Sequence, residues 1–154
     1  MSPERSAIWL GEFFSFHYKY VWKVNQIRNA HNVIGTSAAG FADASLWEEA
    51  KKKGDAEIKK MIDNALNNTS VTVVCITRGT TDRKYINYEI DKSLSRGNGL
   101  LGLQIHHLKD KDGSTGSAGA SPPKIEANGF KVYKFSTLDK LAKWIEDAAK
   151  IAGK

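Results

Sequence analysis

The stretch from Ser70 to Gly97 constrains the fold of this chain more than any other part of the sequence. It opens with a nearly continuous apolar run, residues 71–76, which is rich in β-branched side chains and typical of a strand covered on both faces. A polar loop, residues 78–82, follows this run, and Thr81 or Asp82 is suited to cap a helix after it. The stretch therefore predicts a strand, a loop and a helix in succession.

The helix of this unit is predicted from an apolar stripe. Ile86, Ile90 and Leu94 recur every four residues, so they lie on one face of a helix. Gly97 is suited to the position just after the helix ends, where a left-handed backbone conformation is common. The stripe is the face that we expect to pack against the sheet.

Glu89 is the candidate functional residue of this unit. At about 100° per residue it lies roughly 60° from Ile86 around the helix axis, at the border of the stripe. One interpretation is a partly desolvated carboxylate near the C-terminal edge of the strands, where open α/β sheets bind ligands. The other is a solvated side chain paired with Lys92 or Arg96. The spacing alone leaves both open.

The rest of the chain alternates between strand and helix patterns. We predict a strand over residues 12–18, a helix through about residue 31, a long loop over 32–45 that has room for a short strand, and helices over 46–53 and 58–66. After the central unit we predict a strand over 100–108, a mobile loop over 109–124, a short strand over 130–135 and a final helix, with Ser136 and Asp139 as its capping box. This alternation predicts an α/β protein, a flavodoxin-like three-layer sandwich with a central, mostly parallel sheet of four or five strands.

Length and composition limit the number of domains and the class of protein. The chain has 154 residues, 41% of them hydrophobic, which is enough for one domain with a real core. Residues 1–11 lack periodicity and are predicted to be an N-terminal extension or added leader, with a single domain over residues 12–152. The lone Cys75 excludes a disulfide framework, and we predict no metal site. Without a run long enough to cross a bilayer, or a signal pattern, the sequence predicts a cytoplasmic protein.

The net charge of +6 raises the question of nucleic-acid binding. The basic residues are spread along the chain, and the one tight run, residues 51–53, is typical of a solvated face. Nucleic-acid binding is therefore the weaker interpretation. The same surplus of positive charge favours capture of an anionic phosphate ligand.

The motifs that usually indicate nucleotide, nucleophile or metal chemistry are missing or incomplete, although their absence does not exclude nucleotide binding. The sequence has no P-loop and no glycine-rich dinucleotide fingerprint after the first strand. Ser15 and His17 have no visible third partner for nucleophilic catalysis. His106 and His107, on a predicted strand, would point to opposite faces and are poorly placed to share a metal. The candidate pocket lies at the C-terminal edge of the sheet, which gathers residues 15–17, 32–45, 80–82 and 106–107.

Several blocks of the sequence, in order, resemble one known family. They are FFSFHY, QIRNAH, ASLWEEAKKKGDAEIKKMI, TSVTVVCITRGTTDRKYINYEI and GNGLLGLQIHHLKD, and they cover roughly residues 13–112. Together they resemble the TIR-like domain of the Thoeris antiphage ThsB proteins. This resemblance implies a TIR fold and an enzyme of the NAD nucleosidase or ADP-ribosyl cyclase type. NAD would be the substrate, not a cofactor, and a cyclic ADP-ribose isomer would be the product.

The resemblance also implies roles for individual residues. In TIR enzymes that cleave NAD, the catalytic glutamate follows an aromatic residue on the helix after the central strand, which corresponds here to Glu89 after Tyr85. The candidate walls of the substrate pocket are Phe14, Ser15, Phe16, His17 and Tyr85, with Trp47 and Glu48 at its rim. Aromatic faces there are available to stack against a base or nicotinamide.

Partners follow from the same resemblance. The cyclic nucleotide would act as a diffusible signal that activates a separate Thoeris effector after phage infection. A phage-derived trigger and a homo-oligomer are further expectations, and we expect no contact with a membrane. The alternative function is a non-catalytic TIR-like module that binds a protein partner.

Overall fold

A computed structural model describes residues 11–28 and 51–154 of the chain. Its strands are β1 (Glu12–Ser15), β2 (Val71–Ile76), β3 (Gly99–Gln104) and β4 (Lys131–Lys134). Its helices are α1 (Val21–Arg28), α2 (Asp55–Leu66), α3 (Lys84–Ser95), α4 (Pro123–Ala127) and α5 (Leu138–Ile151), with 3-10 turns at Tyr18–Tyr20 and Thr80–Asp82. Residues 51–53 are also helical.

The four described strands form one parallel sheet in the order β1-β2-β3-β4. Because parallel strands need crossover connections, helices cover the faces of this sheet. The continuous apolar run predicted for the central strand is β2, which is buried along its whole length. The predicted flavodoxin-like α/β architecture is confirmed.

Helices cover both faces of the sheet. On one face Phe13 forms a small cluster with α2, together with Tyr85 and Tyr88 of α3. Phe14 points to the other face and belongs to the main cluster, which includes residues of α1, α3 and α5. On that second face a Cβ built on Gly99 would lie 2.5 Å from the carbonyl oxygen of Ala148, so the close approach of α5 to β3 requires glycine.

The helix α3 ends as predicted, with Gly97 just after its last turn. Gly97 has a φ of 79°, in the left-handed region, and its N–H donates to the carbonyl oxygen of Leu94 at 3.1 Å. The next N–H, that of Asn98, donates to the carbonyl oxygen of Ser93 at 3.0 Å. This pair of hydrogen bonds is a Schellman motif, which stops the helix and starts β3.

Two predicted strands were too long. β1 ends at Ser15, and the chain then turns into a 3-10 segment, so the prediction through residue 18 was wrong at its end. β3 ends at Gln104, and His106 and His107 lie in the turn that follows. Their rings therefore do not alternate across a sheet; they meet edge to face with centroids 5.3 Å apart.

The predicted helix caps were also displaced. Arg83, rather than Thr81 or Asp82, occupies the N-cap position of α3 and makes no side-chain capping hydrogen bond among the described residues. At α5 the cap is Thr137, whose Oγ1 accepts a hydrogen bond from the N–H of Lys140 at 3.2 Å. The predicted cap at Ser136 was one residue early.

Other predictions have mixed outcomes. The short helix α4 begins inside the segment predicted as a loop and buries Ile125; mobility of that segment stays a prediction. The predicted loop over 32–45 and most of the predicted helix over 46–53 lie outside the described residues. The single domain over 12–152 also stays a prediction. Every helix in the described ranges is too short or too polar to span a membrane.

Candidate active site

A hydrogen bond between β1 and α3 defines the candidate site. Ser15 is the last residue of β1 and is fully buried, and its hydroxyl donates to Glu89 Oε1 with an oxygen–oxygen distance of 2.5 Å. Glu89 lies in the second turn of α3 and is only 4% exposed. The interpretation of Glu89 as a solvated carboxylate was therefore wrong. Lys92, which that interpretation paired with Glu89, instead lies 3.9 Å from the carboxylate of Asp63.

Burial controls the protonation of Glu89. Removing a carboxylate from water disfavours its charged form, and this raises the pKa of Glu89 to about 8. The hydrogen bond from Ser15 acts in the opposite direction, because it stabilises the ionised carboxylate. A carboxyl group with a pKa close to neutrality is typical of catalytic sites and less common among structural carboxylates.

Hydrogen bonds from α3 to α2 hold the helix that carries Glu89. The Tyr85 hydroxyl donates to Asp55 Oδ1 at 2.7 Å, and the Tyr88 hydroxyl donates to Asp63 Oδ1 at 2.8 Å. Burial, with the Asp55 carboxylate beside the hydroxyl, raises the pKa of Tyr85 to about 12. Both tyrosines lie one turn or less from Glu89 and fix this face of α3 against α2.

A compact turn connects the end of β2 to α3. The Thr80 hydroxyl accepts from the N–H of Thr77 at 2.8 Å and donates to the carbonyl oxygen of Thr77 at 2.9 Å. The N–H of Arg83 then bonds to the carbonyl oxygen of Thr80, and the N–H of Asn87 to that of Arg83. The start of α3 is thus tied directly to the C-terminal end of the central strand.

His17 lies just beyond Ser15 in basic surroundings. Burial lowers the pKa of His17, and the positive charges of Arg83, Lys19 and Lys51 lower it further, so the imidazole is neutral at pH 7. The sequence interpretation missed these cations as neighbours of the site. The only signal in the sequence was the position of Arg83 directly before α3.

The predicted site residues do not all share one face of the sheet. Ser15 and Glu89 meet, whereas Phe14 is fully buried on the other face and Phe16 is partly buried against the main cluster. Tyr85 packs beside Phe13 and α2. Trp47 and Glu48 lie outside the described residues. Substrate contact by any of these residues stays a prediction.

The parallel sheet, with a glutamate on the helix after its central strand, has the architecture of a TIR-like domain. The chain belongs to the family described as Thoeris protein ThsB, TIR-like domain, whose sequence model matches residues 13–110. It is also 49% identical over 114 residues to the protein of Bacillus cereus (strain MSX-D12) named "Putative cyclic ADP-D-ribose synthase ThsB1". That match covers 71% of this chain and 59% of the relative's length. The family resemblance drawn from the sequence blocks is confirmed.

Proposed function

We propose that this protein cleaves NAD at the nicotinamide–ribose bond and converts the ADP-ribose part into a cyclic isomer. The observation that carries the proposal is the buried carboxyl group of Glu89, held by Ser15 at the C-terminal end of β1. The name of the Bacillus cereus relative, a cyclic ADP-D-ribose synthase, supports the same product class.

The chemistry needs one anionic group beside the ribose. As the bond between the ribose and nicotinamide breaks, its electron pair leaves with nicotinamide and positive charge develops at the anomeric carbon. A carboxylate at Glu89 stabilises this oxocarbenium-like centre, as a carboxylate does in glycoside hydrolysis. A nucleophilic atom of the same ADP-ribose then attacks the anomeric carbon, and water exclusion favours this intramolecular attack over hydrolysis.

The active form of Glu89 is the ionised one. With a pKa of about 8 the side chain is mostly protonated at pH 7 in the free protein. The nicotinamide ring of NAD carries a positive charge, so substrate binding favours the ionised carboxylate. The Ser15 hydroxyl then holds one carboxylate oxygen and leaves the other for the ribose.

The neighbouring residues provide the remaining contacts in this proposal. Ser15, Phe16 and His17 border the substrate beside β1, and the Tyr85 ring borders it on the side of α2. The positive charges of Arg83, Lys19 and Lys51 attract the pyrophosphate. Phe14 supports this wall from within the core.

The biological role that we propose is signalling in antiphage defence. The cyclic product activates a separate effector in the cytoplasm after a phage-derived trigger, and the protein acts as a homo-oligomer with NAD as substrate and no cofactor. The family supports the defence context. The printed name of the relative supports the signal molecule.

The test compares small molecules from phage-infected cells that express the wild type, Glu89→Gln or Glu57→Gln. Glu57 is an exposed carboxylate on α2, so its variant makes the same substitution away from the site. We expect a new ADP-ribose-derived species by mass spectrometry with the wild type and Glu57→Gln, and none with Glu89→Gln. No new species with any protein would favour the non-catalytic interaction module.

A further inference from the structure

The segment 106–122, here called the strap, crosses the C-terminal edge of the sheet from one face to the other. On the α1 face, Lys23 Nζ donates to the carbonyl oxygen of His106 at 3.0 Å, and Gln26 Nε2 donates to that of Lys109 at 2.7 Å. On the other face the strap leads into α4, where Lys124 forms an ion pair with Asp91 of α3. The strap therefore connects α1 to the helix that carries Glu89.

Gly119 is the point at which the strap meets the end of β2. A Cβ built on Gly119 would lie 2.0 Å from the carbonyl oxygen of Thr77 and 2.9 Å from the Cα of Arg78. Both neighbours are backbone atoms, which have little freedom to move away. Only glycine allows the strap to lie this close to Thr77.

The Thr77 carbonyl oxygen under Gly119 is also the centre of the turn before α3. It accepts the Thr80 hydroxyl at 2.9 Å and the Thr80 N–H at 3.3 Å. From Thr80, backbone hydrogen bonds continue through Arg83 to Asn87, two residues before Glu89. A continuous series of hydrogen bonds thus links Thr77 to the helix that carries the carboxyl group.

We propose that Gly119 is a positioning residue for the reaction. Because it has no side chain, the strap packs directly against the Thr77 carbonyl, and this contact fixes where the Glu89 helix begins. This inference rests on the proposed function of Glu89. Gly119 acts through the Thr77–Thr80 turn at the start of α3. Beyond the strap, Lys124 of α4 pairs with Asp91, two residues after Glu89 on the same helix.

The test compares Gly119→Ala with Gly116→Ala. A Cβ at Gly116 would lie 3.3 Å from Lys23 Nζ and 3.6 Å from the carbonyl oxygen of His106, so this variant makes the same substitution in the same strap without the 2.0 Å backbone clash of Gly119. Because a misplacement of about 1 Å can cost roughly 100-fold in rate, we expect kcat for NAD to fall by at least about tenfold in Gly119→Ala, with KM little changed. Gly116→Ala should stay within about twofold of the wild type. Equal kcat in the two variants would overturn the inference.

A second readout does not depend on turnover. The pKa of the Glu89 carboxyl, followed by carbon NMR without substrate, should rise in Gly119→Ala because a shifted α3 lengthens the Ser15 hydrogen bond. An unchanged Glu89 pKa would contradict the inference even if the wild type proved inactive. If the wild type turned over no NAD in lysates of phage-infected cells while the Glu89 pKa rose in Gly119→Ala, the proposed function would be overturned and the effect of Gly119 on the position of Glu89 retained.

A further variant covers the case in which Gly119→Ala does not fold. The double variant Gln26→Ala/Lys124→Met removes the Gln26 contact to the strap and the ion pair of α4, just after the strap, with α3; both side chains are exposed, so the core is untouched. We expect the same direction of change in kcat and in the Glu89 pKa, with a smaller amplitude. Wild-type values for both quantities would overturn the inference.

Discussion

Ser15 and Glu89 are 74 residues apart in the sequence, and a 2.5 Å hydrogen bond joins their side chains in the buried space between β1 and α3. The hydroxyl donates to a carboxyl group whose pKa burial raises to about 8. The Ser15 hydroxyl thus holds one oxygen of the proposed catalytic group and opposes part of the effect of burial on its pKa.

Replacing Ser15 by alanine should move the pH dependence of the reaction. The lost hydrogen bond had favoured the ionised carboxylate, so the pKa of Glu89 rises further above its ordinary range. The profile of kcat/KM against pH reports this pKa in the free enzyme, and its rising limb should shift to higher pH. Activity in Ser15→Ala should therefore fall more at pH 7 than at pH 9.

The matched control for this variant is Ser93→Ala. Ser93 also lies on α3 and is fully buried, but its hydroxyl pairs with Thr72 at 2.6 Å and not with Glu89. This variant should lose stability and keep the wild-type pH profile. Identical profiles for all three proteins would show that Ser15 does not control Glu89.

Glu89→Gln should stabilise the folded protein at neutral and higher pH. The pKa of Glu89 is raised from 4.5 to about 8 on folding, so its contribution to stability is present below pH 4.5 and is lost as the pH rises toward 8. Between these values the wild-type free energy of unfolding should fall by about 1.4 kcal/mol per pH unit from this group alone. Glutamine carries no such penalty and still accepts the Ser15 hydrogen bond.

Denaturant unfolding at pH 5 and pH 8 measures this effect. The advantage of Glu89→Gln over the wild type should increase between the two pH values. Glu57→Gln, at an exposed position, should track the wild type at both. A stability difference for Glu89→Gln that does not change with pH would contradict the burial of an ionisable group at this position.

Two substitutions of Tyr85 should show that its hydroxyl has a structural role and that its ring contacts the substrate. The hydroxyl is bound to Asp55 at 2.7 Å, so Tyr85→Phe should lower the melting temperature by a few degrees and leave KM for NAD unchanged. Tyr85→Ala also removes the ring and should raise KM. A raised KM in Tyr85→Phe would instead place the hydroxyl on the substrate.

The cap of α5 gives a test that is independent of the active site. Thr137→Ala removes the oxygen that accepts the Lys140 N–H and should cost about 1 kcal/mol of stability. Ser136→Ala, one residue earlier, should cost much less. Urea unfolding of both variants decides between the two caps, and a larger loss at Ser136 would contradict the structure.

The sequence predicts the elements of this fold better than their ends. Hydrophobic periodicity identifies β2 and α3 because both are buried along a regular face. Caps are harder, because Ser136 and Thr137 are chemically equivalent at adjacent positions and backbone geometry alone selects between them. The end of β3 at Gln104 is likewise set by the turn that follows, although apolar residues continue beyond it.

The site is predicted only in part for a related reason. Helical geometry places Glu89 at the border of the stripe, where burial and exposure are both compatible with the sequence. Its burial follows from the contact with Ser15 on a distant strand, and such a contact is not encoded in local spacing. The close packing of Gly119 against the Thr77 backbone is a second long-range contact of this kind.

The most direct test of the account follows labelled NAD in lysates of infected cells. Lysates containing the wild type or Glu89→Gln receive NAD with carbon-13 in both riboses, and mass spectrometry follows the labelled products. We predict that the wild type releases nicotinamide and forms a labelled cyclic ADP-ribose isomer, whereas Glu89→Gln leaves the NAD intact. Formation of that isomer by Glu89→Gln at the wild-type rate would contradict the assignment of Glu89 as the catalytic residue.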